Sequence, residues 1–196
     1  MTYQASSPDE LALIQGAKQS GLVLKERSQQ FIKIRNELTG GIEDYEILRE
    51  FPFDSDRKRM TLIVKYNNQY LLMCKGADSI MLPRTKFRKD QSQIMMVQRE
   101  LLKFAKEGLR TLVVCQKILD QRDYEQLDRK IYDIQTSDIP LVQKEAALAD
   151  LYDSQEKNLD YIGSSAIEDK LQYGVPETID MLIKANIKVW VLTGDK

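Results

Sequence analysis

Phe53, the consecutive cations Arg57-Lys58-Arg59, and Lys75 are the side chains whose types and spacing could do chemistry. An aromatic ring offers a flat face to a planar heterocycle. Guanidinium and ammonium groups gather phosphate oxygens. Lys75 closes an apolar run immediately before Gly76-Ala77, where an amine is out of pattern. A lysine snorkelling from a strand end is the bland explanation. Together with Phe53, the polar turn after it and the basic cluster, Lys75 instead marks one sheet end as a place for a purine and its phosphates.

A hairpin must position these groups. Met60–Tyr66 and Gln69–Lys75 are rich in β-formers and flank Asn67-Asn68, which tolerate the positive φ of a two-residue turn. Such a turn pairs Tyr66 with Gln69 and Met60 with Lys75. Alternation then puts Lys75 on one face with Met60, Leu62, Val64, Leu71 and Met73. Before the hairpin, strands are expected at Leu22–Glu26, Phe31–Arg35 and Tyr45–Phe51, with Gly40-Gly41 turning between the last two. Ser7-Pro8-Asp9-Glu10 opens a helix that stops at Gly21, with Ser7 as cap and Glu10 completing a capping box. Phe51 and Phe53 share strand parity, so alternation cannot separate them. Pro52 can, because it lacks a ladder donor; Phe51 is expected in the sheet and Phe53 at the pocket mouth.

After the hairpin, Arg84 to Asp90 is expected as a charged loop, and Ile94, Val97, Leu101, Leu102 and Ala105 predict a helix ended by Gly108. Leu109–Leu119 reads as a strand whose Arg110 heads an otherwise apolar row. From Asp120 to about Leu159 the pattern is helical and heavily charged; Pro140 starts its second helix, and its charges read as a solvated face without chemistry. Beyond Asp160 the style changes to strand, acidic loop, helix at Pro176–Ala185, and a continuously apolar strand at Lys188–Leu192. Such runs suit buried parallel strands, so this segment reads as a crossover unit of another architecture. A chain stopping at Thr193-Gly194-Asp195-Lys196 looks cut at a ligand-binding sheet edge.

Composition narrows the classes. The chain has 196 residues, 42% hydrophobic and 30% charged, with a net charge of −1, so nothing pulls the whole molecule toward nucleic acid or membrane. No apolar run approaches the roughly twenty residues a spanning helix needs, and no signal peptide is visible. With no histidine and two isolated cysteines, zinc binding and histidine-base mechanisms are not expected. Cys74 and Cys115 read as reduced core residues in a cytosolic setting.

Ser7-Pro8-Asp9-Glu10, the run Phe53 to Met60 (FDSDRKRM), Lys75-Gly76-Ala77-Asp78, Glu107-Gly108-Leu109-Arg110-Thr111-Leu112, Ile167-Glu168-Asp169-Lys170-Leu171-Gln172 and Leu192-Thr193-Gly194-Asp195-Lys196 follow one another in the chain. In this order they resemble the nucleotide-binding domain of P-type ATPases, most closely the phospholipid-flippase branch. Cation pumps share the Lys-Gly-Ala core but usually carry other residues at Ser-Pro-Asp-Glu and Glu-Asp-Lys-Leu-Gln. The resemblance runs from about Tyr3 to Lys196. It implies an α/β class of α+β character: an antiparallel sheet flanked by helices over 1–159, and over 160–196 part of a Rossmann-like, haloacid-dehalogenase-type phosphorylation domain.

The resemblance also implies roles. Phe53 stacks on adenine, Glu10 approaches its edge, Lys75 lies on the pocket floor and Met60 adds apolar lining. Ser55, Lys58 and Arg110 lie toward sugar and phosphates, and Thr111 belongs to the same ATP-binding set. Asp169 faces the ribose and phosphates, while Thr193 and Gly194, with Asp195 beside them, hold the phosphoryl group. The cofactors implied are ATP and Mg²⁺, with the Mg²⁺ ligands mostly elsewhere. The Asp-Lys-Thr-Gly-Thr stretch that carries the phosphorylated aspartate is absent from these residues. The implied partners are therefore the actuator, phosphorylation and transmembrane parts of a parent pump, phospholipid as its transported substrate, and no nucleic acid. The chain would be a cytosolic, itself soluble, domain of an integral membrane protein, binding nucleotide without turning it over. Two other classes remain: a soluble dehalogenase-like phosphatase, and an interaction module working through residues 120–159. The nucleotide-binding domain of a cation pump is a further variant.

Overall fold

Two asparagines turn the central hairpin as expected: Asn67 and Asn68 have φ of 48° and 60°. The strands they join are β4 (Arg59–Tyr66) and β5 (Gln69–Gly76), paired from Tyr66↔Gln69 out to Met60↔Lys75. The computed structural model describes residues 3–5, 7–86, 91–168 and 172–192. Around the hairpin run β1 (Leu22–Arg27), β2 (Phe31–Asn36), β3 (Ile42–Asp54), β6 (Arg110–Leu119) and β7 (Asp160–Ile167). All seven form one sheet in sequence order, every neighbour antiparallel. Helix α1 (Pro8–Gln19) touches both β1 and β7, the first and last strands.

One sheet face is the core. Phe51, Ile63, Leu72, Cys74, Val113 and Cys115 cluster with Met81, Leu82, Val97, Leu101, Leu127 and Ile131. The latter come from α2 (Asp78–Met81), a 3-10 turn (Leu82–Arg84), α3 (Gln91–Lys106) and α4 (Gln121–Thr136). Of the charged loop expected from Arg84 to Asp90, Arg84 ends the 3-10 turn and residues 87–90 lie outside the described residues. Burial pushes the Cys74 thiol up to about 11 and the Cys115 thiol up to about 12, so both stay protonated. Helix α5 (Leu141–Gln155) follows α4 and packs on it. Met60, Lys75 and Leu112 lie on the opposite, half-open sheet face.

The last segment departs from its expected pairing. Asp160–Ile167, read from sequence as opening a parallel unit, is hydrogen-bonded antiparallel to β6. Lys188–Leu192 forms no strand: Trp190 is 80% and Leu192 93% exposed. An apolar run becomes a strand only when a neighbour satisfies its backbone, and no described strand lies beside it. Helix α6 (Val175–Lys184) buries none of its residues. Among the described residues no helix is long and apolar enough to cross a membrane.

Candidate functional site

A bulge decides which phenylalanine reaches the site. Phe51 pairs with Thr61 and Asp54 with Arg59, so β3 spends one residue more than β4 across Pro52 and Phe53. An extra residue inverts side-chain parity. Phe51 is fully buried and stacked on Tyr152 with centroids 3.8 Å apart, while Phe53 is 66% exposed on the opposite face.

Phe53 forms one wall of a cavity of about 690 Å³, whose lining also includes Glu10, Lys58, Met60 and Lys75. These five come from β3, α1, the β3–β4 turn, β4 and β5, and the fold brings them onto one cavity. Glu10 enters because Ser7 caps α1, accepting from the Glu10 backbone N–H at 3.2 Å. The expected capping box is only half built: the Glu10 carboxylate ion-pairs with the Lys75 ammonium. Lys75 is therefore no simple snorkelling residue; its charge is matched inside the pocket wall. Lys58 adopts the left-handed region, φ 51°, donating its N–H to Asp54 O at 2.7 Å and accepting from Ala77 N at 3.1 Å. Gly76 permits this approach, because a Cβ there would stand 2.6 Å from Arg59 Cβ and 2.7 Å from Lys58 O.

Other expected residues lie differently. Ser55 is exposed on the turn and does not line the cavity. Arg110 is also outside the lining, at the start of β6, 3.5 Å from Asp9, which does line it. Thr111 does not line the cavity: Leu112 does, so alternation turns Thr111 to the opposite face. Asp169, Thr193, Gly194 and Asp195 lie outside the described residues. The cavity contains residues that motif spacing did not single out, notably Arg27 at the end of β1 and Glu50 on β3. Glu50 was legible, since it pairs with Leu62 on the pocket face; Arg27 arrives only through tertiary folding. A smaller recess of about 210 Å³, lined by Met60, Leu62, Met73 and Val114, continues past Glu10 and Lys75. The lining carries three cations (Arg27, Lys58, Lys75) and three acids (Asp9, Glu10, Glu50), with Lys75 paired to Glu10; an exposed ring, an apolar floor and Lys58 on the turn suit a flat ligand with an anionic end.

On the other side of the sheet, Glu145 and Asp150 of α5 are exposed as expected from sequence, but the acids at its C-terminal end are half-buried or buried. Glu156, capping the C-terminus of α5, is 0% exposed and pairs with both Arg57 and Arg59. Thr61 Oγ1 donates to it at 2.7 Å. Asp153 binds Arg59 at 2.9 Å, Arg84 at 2.6 Å and Lys157 at 2.8 Å. Burial pushes the Asp153 carboxyl up, but hydrogen bonds from Lys157 and Arg84 outweigh it and hold the pKa at about 2. The signal available in the sequence was the triplet of cations, which requires carboxylates if it is buried.

Residues 2–174 match the family described as P-type ATPase, cytoplasmic domain N. Similar curated proteins include phospholipid-transporting ATPase IG of Homo sapiens, 39% identical over 100% of this chain, and phospholipid-transporting ATPase IC of Homo sapiens, 41% identical over 100%. Phospholipid-transporting ATPase IH of Mus musculus is 40% identical over 99%. The chain spans 17%, 15% and 16% of those three proteins respectively.

Proposed function

The chain belongs to the P-type ATPase cytoplasmic domain N family, and from that premise we propose that the cavity beside Phe53 is where it binds ATP. ATP binding is the general role of this domain. The observation that carries the reading is the meeting of Glu10, Phe53, Lys58, Met60 and Lys75, from separate segments, on one cavity. Its volume of about 690 Å³ falls within the size of small-ligand sites. Phe53 stacks on adenine, Met60 and Leu112 line the base's edge, and Glu10 accepts from an exocyclic amine. Lys58 meets the phosphates, and Arg110 reaches them from the rim as its partner Asp9 yields. Ser55 and Thr111 have no contact in this arrangement.

In the whole protein the bound γ-phosphate would be presented to an aspartate that residues 1–196 do not carry, in the manner of phosphoryl transfer by positioning and charge stabilisation. Mg²⁺ would arrive on the nucleotide. Asp169, Thr193, Gly194 and Asp195 would serve the phosphoryl end. The names of the relatives support a parent that transports phospholipid, with this chain as its cytosolic nucleotide-binding part working against actuator, phosphorylation and transmembrane parts. The phosphorylation segment begins near residue 160 in sequence style; the pairing of β7 favours a boundary after Ile167.

Calorimetric titration of the 196-residue chain tests the reading. ATP and ADP are expected to bind saturably, with similar and weak affinity, because most contacts are to the base and an open cavity buries only part of the ligand. No saturable response up to millimolar nucleotide would overturn it.

A further inference from the structure

Three cations in a row, Arg57-Lys58-Arg59, are divided by strand geometry between the two faces of the sheet. Lys58 lines the cavity, while Arg57 and Arg59 point to the far side and meet the Glu156 carboxylate. The two arginines do more than neutralise that carboxylate. Arg57 Nη1 donates to the carbonyl of Pro52 at 3.0 Å, and Arg59 Nη1 donates to the carbonyl of Arg57 at 3.0 Å. Those carbonyls belong to the residues immediately before Phe53 and Lys58. Arg57 also lies over the Tyr152 ring, 5.6 Å from its centroid, and that ring stacks on Phe51.

We propose that Glu156 is a positioning residue for the nucleotide: from the core side it orients Arg57 and Arg59, which hold the backbone that presents Phe53 and Lys58 to the cavity. The proposal rests on the ATP-binding reading of that cavity. A left-handed backbone at a lysine is costly and persists only when its surroundings over-determine it. Here the surroundings are the Glu156–arginine pairs behind the turn and the Ala77 N–H in front of it. Glu156 is suited to the task because it is completely buried, so its geometry is not lost to competing water. With Glu156 absent, the guanidiniums would turn toward solvent or Asp153, releasing the Pro52 and Arg57 carbonyls. The turn would then sample several conformations, of which few suit the ligand.

The test compares wild type, Glu156→Gln and Arg57→Met in three readouts: melting temperature, ATP affinity well below melting, and exchange of the Lys58 and Ala77 amides. Glu156→Gln is expected to weaken ATP binding about fivefold or more, to speed exchange at both amides, and to do so while still folded. Arg57→Met removes one arm and should move every readout the same way by less; it decides the matter if Glu156→Gln does not fold. In a Lys58→Ala background the affinity loss from Glu156→Gln should shrink, as expected when one residue acts through the other. Folded variants that melt lower yet bind ATP like wild type overturn the proposal, as does a full-sized loss in the Lys58→Ala background. If wild type itself binds no ATP, the functional reading fails and nucleotide positioning falls with it; the amide exchange still reports whether the clamp holds the turn.

Discussion

Phe51 and Phe53 have the same chemistry and stand two residues apart, yet one is core and the other is surface. Pro52 cannot donate to the ladder, and the bulge across it rotates Phe53 onto the face that carries Met60 and Lys75. Phe51→Ala should therefore destabilise the fold by roughly 3–5 kcal/mol, the cost of hollowing a buried aromatic site, and leave the folded protein's nucleotide affinity nearly intact. Phe53→Ala should leave melting almost unchanged and weaken ATP binding by about 1–3 kcal/mol, the worth of a stacked base. Melting curves and titrations on both variants separate the roles. A Phe53→Ala protein that melts far lower while binding ATP normally would make the exposed ring structural.

Helix α5 is the element whose purpose changed most between sequence and structure. Its charge pattern looks like a solvated exterior, but its last turn inserts Tyr152, Asp153 and Glu156 into the back of the β3–β4 turn. Asp153 gives this docking a pH dependence. Its folded pKa, about 2, lies below the ordinary aspartate value of 3.8, so its contribution is complete above pH 3.8 and disappears as pH falls toward 2. Asp153→Asn should accordingly flatten the acid limb of the stability curve in that window and leave its shape near neutrality unaltered. The effect should be modest, because the Asp153 side chain is 36% exposed and solvent screens it. Urea unfolding midpoints measured from pH 2 to pH 6 check this; identical acid limbs for the two proteins would refute it.

At the scale of the molecule, burial is uneven. Strands β3 to β6 and the helices packed on them hold nearly all of the core, whereas α6 buries no residue and the described residues after it stay exposed. The chain's one tryptophan, Trp190, falls in that exposed stretch, 80% open. Its emission in the native protein should already be close to that of the unfolded chain. Denaturant should then shift circular dichroism through a cooperative transition while tryptophan emission barely moves. A strongly blue-shifted native spectrum that reddens on unfolding would mean Trp190 is packed in solution.

What the sequence determined by itself is what short-range geometry controls. Asparagines that accept positive φ set the hairpin turn, and with a two-residue turn the register of Met60 against Lys75 follows by counting. Ser7 before Pro8 sets the start of α1, and Pro52 separates the two phenylalanines. Only the tertiary structure decided the rest. Whether an apolar run is a strand depends on a neighbour, so Lys188–Leu192 read as a strand and is none, while Asp160–Ile167 joins β6 antiparallel. Whether a charge is solvated or buried depends on what folds over it. Arg57 and Glu156 lie far apart along the chain, and no local pattern in either segment specifies that α5 ends against the turn. The same holds for Arg27, which reaches the cavity because β1 and α1 are brought to one end of the sheet. Motif residues were legible because their neighbours in sequence are their neighbours in space; the groups that hold them in place are not.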